Sequence, residues 1–193
     1  FLALGCHVSK KLGIPGEELE GVYGGVEFLK EVNLGREVQV GEKVAVVGGG
    51  DAAIDAARCA RRLGAKKVTV VYRRSRKEMP AEASEIEAAE EEGVDIQYLV
   101  SPQRLIGNDG RIKAMECIRM ELGEPDESGR RRPLTIKGSE FVLEVDMVIP
   151  AIGQVPDLSR FSRDDFQFKE DSTFSVDPVT LLTSKEGVLA GGD

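Results

Sequence analysis

The sequence is poor in cysteine and histidine, two residue types that often perform catalysis or hold metals. It contains three cysteines and a single histidine among 193 residues. Cys6, Cys59 and Cys117 are odd in number, far apart and outside any CxxC pattern, which argues against a disulfide framework, a zinc site and a redox dithiol. This cysteine usage is typical of a cytoplasmic protein, and Cys59 is expected to be a packing residue. His7 precedes a predicted loop, so a histidine-dependent triad is not expected.

Positive charge and long apolar segments are also scarce. Lysine and arginine total 26 against 34 aspartates and glutamates, which gives a formal net charge of −8. General affinity for nucleic acid or for an acidic membrane therefore has no electrostatic basis, and any anion must be bound locally. No apolar run is long enough to span a bilayer, and no export leader opens the sequence. We expect a cytoplasmic protein with neither nucleic acid nor membrane as a partner.

Apolar strands alternate with amphipathic helices over the first half of the chain. Valine-rich or isoleucine-containing segments predict strands over residues 43–47, 67–72 and 94–100. Apolar residues at helical spacing, with glycine after the last turn, predict helices over residues 24–33, 51–63 and about 80 to 92. From residue 43 the order β-α-β-α-β predicts a right-handed parallel sheet, and hence a Rossmann-like α/β fold.

The pattern changes beyond Pro102, where polar and apolar residues alternate as in the strands of a hairpin or meander. The polar stretch GEPDESGRRRP, which includes residues 130–132, is predicted to be a solvated hairpin loop. We therefore expect a β-meander crossover, after which VDMVIPAIG returns to the parallel sheet. Residues 156–182 are predicted to be loop.

A glycine-rich turn separates the strand over 43–47 from the helix that follows it. Gly48, Gly50 and Ala53 form a GxGxxA pattern, which in this context indicates dinucleotide binding. Gly48 permits the tight turn, Gly50 lets the backbone approach a pyrophosphate, and Ala53 allows close packing of helix on strand. Free N–H groups and the positive end of the helix would face the phosphates. The alternative is a glycine-rich turn that only packs a helix on a sheet.

The second strand ends in Arg73 and Arg74, where an acid would hydrogen-bond an unmodified ribose. Arginine suits a 2′-phosphate instead, so the pair predicts NADP(H), with one guanidinium on the phosphate and the other over the adenine. Arg76 and Lys77 are expected to contribute less. The alternative is that the arginines at this strand end are simply solvated.

Asp51 begins the helix and has two interpretations. A carboxylate at this position often caps the helix, yet beside a pyrophosphate it would meet like charge. Either role, or both together, is compatible with the sequence.

Several separated motifs together resemble one family. GGGDAAIDAAR, YRRSRKEMPA, EEGVDI, VIPAIGQVPD and GVLAGGD, in this order, are similar to the NADPH-binding half of glutamate synthase small (beta) subunits and their FAD-dependent relatives. The resemblance covers nearly the whole chain. It implies a flavoprotein oxidoreductase with two dinucleotide folds, the NADPH domain being inserted into the FAD domain. Ala3-Leu4-Gly5 stands where the family often has Ala-Thr-Gly, which puts a threonine contact in doubt.

The resemblance also implies site residues. Gly49, Gly50, Asp51 and Ala52 would meet the pyrophosphate of NADPH beside Gly48, and Arg73 and Arg74 its 2′-phosphate. The residues expected to line the nicotinamide half are Ala151, Ile152 and Gly153. The residues expected to contact the flavin are Gly192 and Asp193.

The resemblance divides the chain into a remnant of the FAD domain with a connecting segment (1–40), an NADP(H)-binding domain (41–155) and a return segment (156–193). The family's FAD-binding GxGxxG and iron–sulfur cysteine cluster are not in this sequence, which opens without methionine. We therefore expect a fragment that binds NADP(H) without turnover, with FAD only in the full-length protein. That protein would pass hydride from NADPH to FAD, and electrons onward to iron–sulfur centres or a large subunit. The alternatives are a stand-alone NADP(H)-binding module, or a ferredoxin:NADP reductase or dihydropyrimidine dehydrogenase-like enzyme.

Overall fold

The computed structural model describes residues 1–126 and 129–192. It divides into a larger unit, Lys11–Ile152, and a smaller unit that joins Phe1–Lys10 to Gly153–Asp193. In chain order the elements are β1 (Val8–Ser9), α1 (Gly25–Asn33), β2 (Lys43–Val47), α2 (Asp51–Arg62), β3 (Lys67–Tyr72), a 3-10 turn (Arg76–Glu78), α3 (Ala83–Glu91), β4 (Asp95–Tyr98), β5 (Val100–Asn108), β6 (Arg111–Pro125), β7 (Arg131–Thr135), β8 (Phe141–Glu144), β9 (Met147–Pro150) and β10 (Gln154–Val155).

A four-stranded parallel sheet forms the centre of the larger unit, with the strand order β4-β3-β2-β9. Its strands are apolar on both faces because both faces are covered. Val44 and Val46 pack against the helices, whereas Ala45 and Val47 pack against a second, antiparallel sheet. This two-sided burial explains why the strands have near-continuous apolar sequences rather than alternating ones.

Helix α2 packs on the sheet through small residues. Its residues Ala53, Ala56, Ala57 and Ala60 are fully buried, so the helix backbone can approach β2 and β3 closely. The predicted helix differs from the observed one only at its end, where Leu63 is the C-cap rather than the last helical residue. The third helix starts at Ala83, later than predicted, because the 3-10 turn and an extended stretch precede it.

Ion pairs tie the end of α2 to the end of α3. The Arg62 guanidinium lies 2.6 Å and the Arg58 guanidinium 2.9 Å from the same carboxylate oxygen of Glu92. Arg61 adds a hydrogen bond from its Nε to the Glu92 carbonyl oxygen at 3.1 Å, which satisfies an acceptor at the helix end. Hydrogen bonding from Arg62, with added attraction from Arg58, lowers the pKa of Glu92.

Replacement of Glu92 by glutamine is expected to lower the free energy of unfolding by about 1 kcal/mol at neutral pH. Because the pKa of Glu92 is lowered in the folded state, its stabilisation is present above the usual glutamate pKa of about 4.3 and is lost as pH falls through the lowered pKa. Urea denaturation should therefore separate Glu92→Gln from the unmodified protein at neutral pH and not in strong acid. Glu91, the exposed residue before Glu92, provides the control. Glu91→Gln should change the free energy of unfolding little at either pH. A difference that persists in acid would contradict this account.

The crossover from β4 to β9 is β rather than α, as predicted. β6 is its long central strand, pairing with β5 along one edge and with β8 and β7 along the other. The predicted strand over 94–100 is in fact two strands, because Leu99 has a φ of +56° and redirects the chain from the parallel to the antiparallel sheet. Arg131 and Arg132 belong to β7 rather than to a solvated loop.

The larger unit begins at Lys11, well before the first strand of its parallel sheet. The segment from Lys11 is bound to the larger unit by backbone hydrogen bonds. The Leu105 N–H donates to the Pro15 carbonyl at 2.8 Å, and the Tyr23 N–H donates to the Val148 carbonyl at 2.9 Å. The larger unit ends at Ile152. The Lys10 N–H donates to the Gly153 carbonyl, and β1 pairs with β10, within the smaller unit.

The smaller unit has little regular structure, in agreement with the loop predicted for 156–182. Isolated bridges pair Phe168 with Phe174 and Val176 with Thr183. Phe161, Phe166 and Phe174 pack edge to face with ring centroids 5.2 to 5.7 Å apart, a cluster that the sequence analysis missed. In neither unit is any described helix long and apolar enough to cross a membrane.

Candidate functional site

The candidate site lies where β2 and β9 end side by side. The chain leaves β2 toward β3 on one side, whereas β9 joins the sheet on the other side of β2. Ligands of open α/β sheets bind outside the carboxyl ends of the strands at such a reversal of strand order. Residues 48–52 follow β2 at this point and Ala151 follows β9, with its N–H donating to the Val47 carbonyl at 2.8 Å.

The first two glycines of the turn are required by close packing within the protein. Gly48 has a φ of +151°, and a Cβ there would lie 2.2 Å from the Ala151 carbonyl oxygen. A Cβ on Gly49 would lie 2.4 Å from the ring of Tyr72. Both glycines are buried, so they bring the turn against β9 and β3.

The third glycine is different, because no heavy atom lies within 4 Å of the position that a Cβ on Gly50 would occupy. The chain itself therefore does not require glycine at this position. Within the described residues, no hydrogen bond is made by the N–H groups of Gly49, Gly50, Asp51 and Ala52. The start of the twelve-residue helix α2 thus offers four donors and the positive end of its dipole to open space, which suits a pyrophosphate.

The structure does not support capping of α2 by Asp51. Gly50 is the N-cap and Asp51 is the first helical residue. The Asp51 carboxylate instead accepts a hydrogen bond of 3.0 Å from the Glu82 N–H, which lies immediately before α3. Asp51 therefore links the starts of two helices, and its carboxylate is stabilised at the N-terminus of α3.

The segment between β3 and α3 contacts the glycine turn and is hydrogen-bonded to it. The Ala81 N–H donates to the Gly49 carbonyl at 3.1 Å. The Tyr72 ring lies against Gly49, and its hydroxyl donates to the Glu78 carbonyl at 2.7 Å. The sequence analysis did not assign Tyr72 or Ala81 to the site, because their roles depend on contacts of the folded turn rather than on a motif.

The two arginines after β3 differ in solvent exposure and in their hydrogen-bond partners. Arg73 is exposed, and its side chain has no hydrogen-bond or ion-pair partner within the described residues. Arg74 is 5% exposed, and its guanidinium binds the Arg131 carbonyl and the Asp126 carboxylate. Arg76 pairs with Glu90 at 2.8 Å, and Lys77 is exposed. Of the two strand-end arginines, Arg73 is thus exposed and Arg74 is buried with partners on the antiparallel sheet.

The other predicted site residues fall in both units. Ala151 and Ile152 belong to the larger unit, where Ala151 is half-buried and Ile152 is 40% exposed. Gly153 and Gly192 belong to the smaller unit, and both have positive φ angles, +120° and +102°. Asp193 lies outside the described residues.

The three cysteine side chains are not bonded to one another. All three cysteines are free, and burial raises the pKa of Cys117 to about 12 and also raises the pKa of Cys59. No cluster of metal-ligating side chains occurs in the part of the chain that the structure describes. The feature of this site that points to a ligand is therefore the set of backbone donors at the start of α2, which is suited to a nucleotide phosphate.

Comparisons with known proteins agree with this geometry. The family described as pyridine nucleotide-disulphide oxidoreductase matches residues 1–193. The chain is 53% identical over 197 residues to the NADP(+)-dependent formate dehydrogenase subunit beta of Moorella thermoacetica, with 100% of this chain and 28% of that protein covered. It is 35% identical over 207 residues to the glutamate synthase (NADPH) small chain of Azospirillum brasilense, with 100% of this chain and 43% of that protein covered.

Among solved structures, FprA of Mycobacterium tuberculosis in complex with NADPH matches with a TM-score of 0.69 at 18% identity, covering 90% of this chain and 53% of that one. This match confirms the predicted fold class. The Azospirillum relative confirms the resemblance to glutamate synthase small subunits. The chain spans less than half the length of either curated relative.

Proposed function

Because the chain belongs to the pyridine nucleotide-disulphide oxidoreductase family, we propose that it is the NADP(H)-binding part of a flavin-dependent oxidoreductase like the glutamate synthase small subunits. One observation carries this proposal. In the turn after β2, four backbone N–H groups have no partner among the residues that the structure describes, and they lie at the reversal of strand order, where α/β sheets bind nucleotides.

The pyrophosphate is held by the N–H groups of Gly49, Gly50, Asp51 and Ala52. The open space over Gly50 lets the phosphates approach the backbone, and the α2 dipole favours their negative charge. The Asp51 side chain does not contact the pyrophosphate, because its carboxylate accepts a hydrogen bond from the Glu82 N–H. Asp51 thus contributes its main chain to the cofactor.

The 2′-phosphate is bound by Arg73. The two residues that follow Tyr72 are both arginines, so no acid is present to bind an unmodified ribose. The exposed Arg73 guanidinium has no partner within the described residues. A planar guanidinium can bind two phosphate oxygens, whereas a ribose 2′-hydroxyl gives it no charge to pair with. NADP(H) is therefore favoured over NAD(H).

The nicotinamide half lies along Ala151, Ile152 and Gly153. Ala151 is adjacent to Gly48, and none of these side chains can take or donate a proton. In the complete protein NADPH supplies the hydride and FAD accepts it. The residues of this chain contribute binding and orientation.

We propose that the smaller unit belongs to the FAD domain and that Gly192 and Asp193, which the family resemblance assigns to the flavin, contribute to binding it. The chain alone binds NADP(H) without turnover, because it lacks the glycine motif that would hold FAD. The final electron acceptor, an iron–sulfur centre or a large subunit, is chosen outside this chain. In support, relatives that match the whole of this chain are named as parts of enzymes as different as a formate dehydrogenase and a glutamate synthase.

We propose that the protein is cytoplasmic.

Anaerobic mixing of the complete protein with NADPH or NADH tests this proposal. We expect NADPH to bleach the flavin absorbance much faster than NADH at equal concentration, and calorimetry to show tighter binding of NADP⁺ than of NAD⁺. A complete protein that carries no flavin would instead favour a stand-alone nucleotide-binding module. Flavin reduced equally well by both nucleotides would contradict the role of Arg73.

A further inference from the structure

Arg74 is a buried cation whose partners lie on the antiparallel sheet. Its Nε donates to the Arg131 carbonyl at 2.8 Å, and its Nη2 lies 2.8 Å from the Asp126 carboxylate. Both partners lie at the β6–β7 hairpin. They are more than fifty residues from Arg74 in the sequence. A buried guanidinium is stable only while paired, so Arg74 cannot leave these partners without a large penalty.

The main chain at Arg74 is joined to the same sheet. The Leu99 N–H donates to the Arg74 carbonyl at 3.1 Å, and the Met120 N–H of β6 donates to the Leu99 carbonyl at 2.7 Å. The end of β3 is thus bound to the antiparallel sheet through both the side chain and the backbone of Arg74.

Arg73 lies between two anchored residues. On one side, Tyr72 is buried and its hydroxyl is bonded to the Glu78 carbonyl. On the other side, Arg74 is held by the hairpin. The backbone that carries the exposed Arg73 guanidinium is consequently fixed at both neighbours, which reduces the entropy lost when that guanidinium binds an anion.

We propose that Arg74 and Asp126 form a positioning pair that fixes Arg73 for recognition of the 2′-phosphate of NADP(H), and that Arg74 does not bind the phosphate itself. This inference rests on the proposed NADP(H)-binding function and deepens it. It makes the β6–β7 hairpin, which is no part of the nucleotide fold, a determinant of cofactor choice.

Asp126→Ala distinguishes positioning from direct binding. If Arg74 bound the phosphate, removal of its competing carboxylate would leave NADP⁺ affinity unchanged or increase it. If the pair acts by positioning, Asp126→Ala in the complete protein should weaken NADP⁺ and 2′,5′-ADP by about tenfold and leave NAD⁺ unchanged. The milder Asp126→Asn should produce a smaller loss in the same direction.

Arg74→Met is the other single variant of a double-mutant cycle with Asp126→Ala. We expect it to weaken NADP⁺ about as much as Asp126→Ala does, and the double variant to be no weaker than either single one, since the residues act as a unit. The matched control is Glu116→Gln, which removes an ion pair with Arg104 elsewhere on the same sheet and should not change the ratio of NADP⁺ to NAD⁺ affinities.

Calorimetric titration of folded variants decides the outcome. Retention of full NADP⁺ affinity by Asp126→Ala, with NADP⁺ still preferred by the unmodified protein, would overturn the positioning pair and leave the proposed function intact. Equal affinities of the unmodified protein for NADP⁺ and NAD⁺ would overturn both. Parallel loss of NADP⁺ and NAD⁺ affinity in the variants would show a merely structural role and would also overturn the inference.

Discussion

Replacement of Gly48 by alanine is expected to destabilise the larger unit by about 3 kcal/mol and to abolish NADP(H) binding. The added Cβ would lie 2.2 Å from the Ala151 carbonyl oxygen and 3.2 Å from the Ala53 Cβ. The φ of +151° is also one that alanine rarely adopts. The turn would have to move away from β9, which opens the site. Urea denaturation and calorimetric titration with NADP⁺ measure the two effects.

Gly50→Ala is the matched control, since the change of side chain is identical two residues away. The Cβ would meet no atom of the protein within 4 Å, and the φ of −91° is an ordinary one. We expect a stability loss below about 1 kcal/mol, from a poorer N-cap, together with at least about tenfold weaker NADP⁺ binding. Equal stability losses in the two variants would show that the packing around Gly48 is not what requires glycine there.

Arg73→Ala is expected to remove most of the preference for NADP(H). Loss of one charge-assisted contact with the 2′-phosphate should weaken NADP⁺ by about 2 kcal/mol, which is about thirtyfold. NAD⁺ affinity should stay the same, because NAD⁺ presents no phosphate to Arg73. Titration of both nucleotides into the same preparation measures the ratio directly.

Arg76→Ala serves as the control for Arg73. Arg76 is exposed and close in sequence, but its guanidinium pairs with Glu90 at 2.8 Å. Its removal should change the ratio of NADP⁺ to NAD⁺ affinities only slightly. A larger effect from Arg76→Ala than from Arg73→Ala would move the phosphate site to the 3-10 turn.

The sequence predicted the parallel sheet and α2 well because their determinants are local. The uninterrupted apolar residues from 44 to 47, and the alanines at helical spacing ended by Gly64, specify a buried strand and a closely packed helix without reference to the rest of the chain. The glycine turn was predicted for a similar reason, because Gly48 and Gly50 lie between these two elements.

The elements that were predicted less well depend on distant contacts. The contact of Arg74 with Asp126 joins residues that are 52 positions apart, and no local pattern specifies it. The same holds for Asp51, whose partner is the N–H of Glu82 rather than its own helix. Leu99 interrupts a segment whose β-branched and aromatic residues favour a continuous strand, and it does so because two sheets meet there.

The pairing of β1 with β10 brings the two ends of residues 11–152 to neighbouring points of the chain, since Lys10 N–H binds the Gly153 carbonyl at 3.0 Å. Residues 11–152 therefore form one continuous segment whose two flanking residues are hydrogen-bonded neighbours. A segment of this kind can be exchanged as a cassette between homologous proteins with only two splice sites. Under the proposed function, recombination of this sort would transfer the residues proposed to select the nicotinamide cofactor while leaving the flanking sequence unaltered.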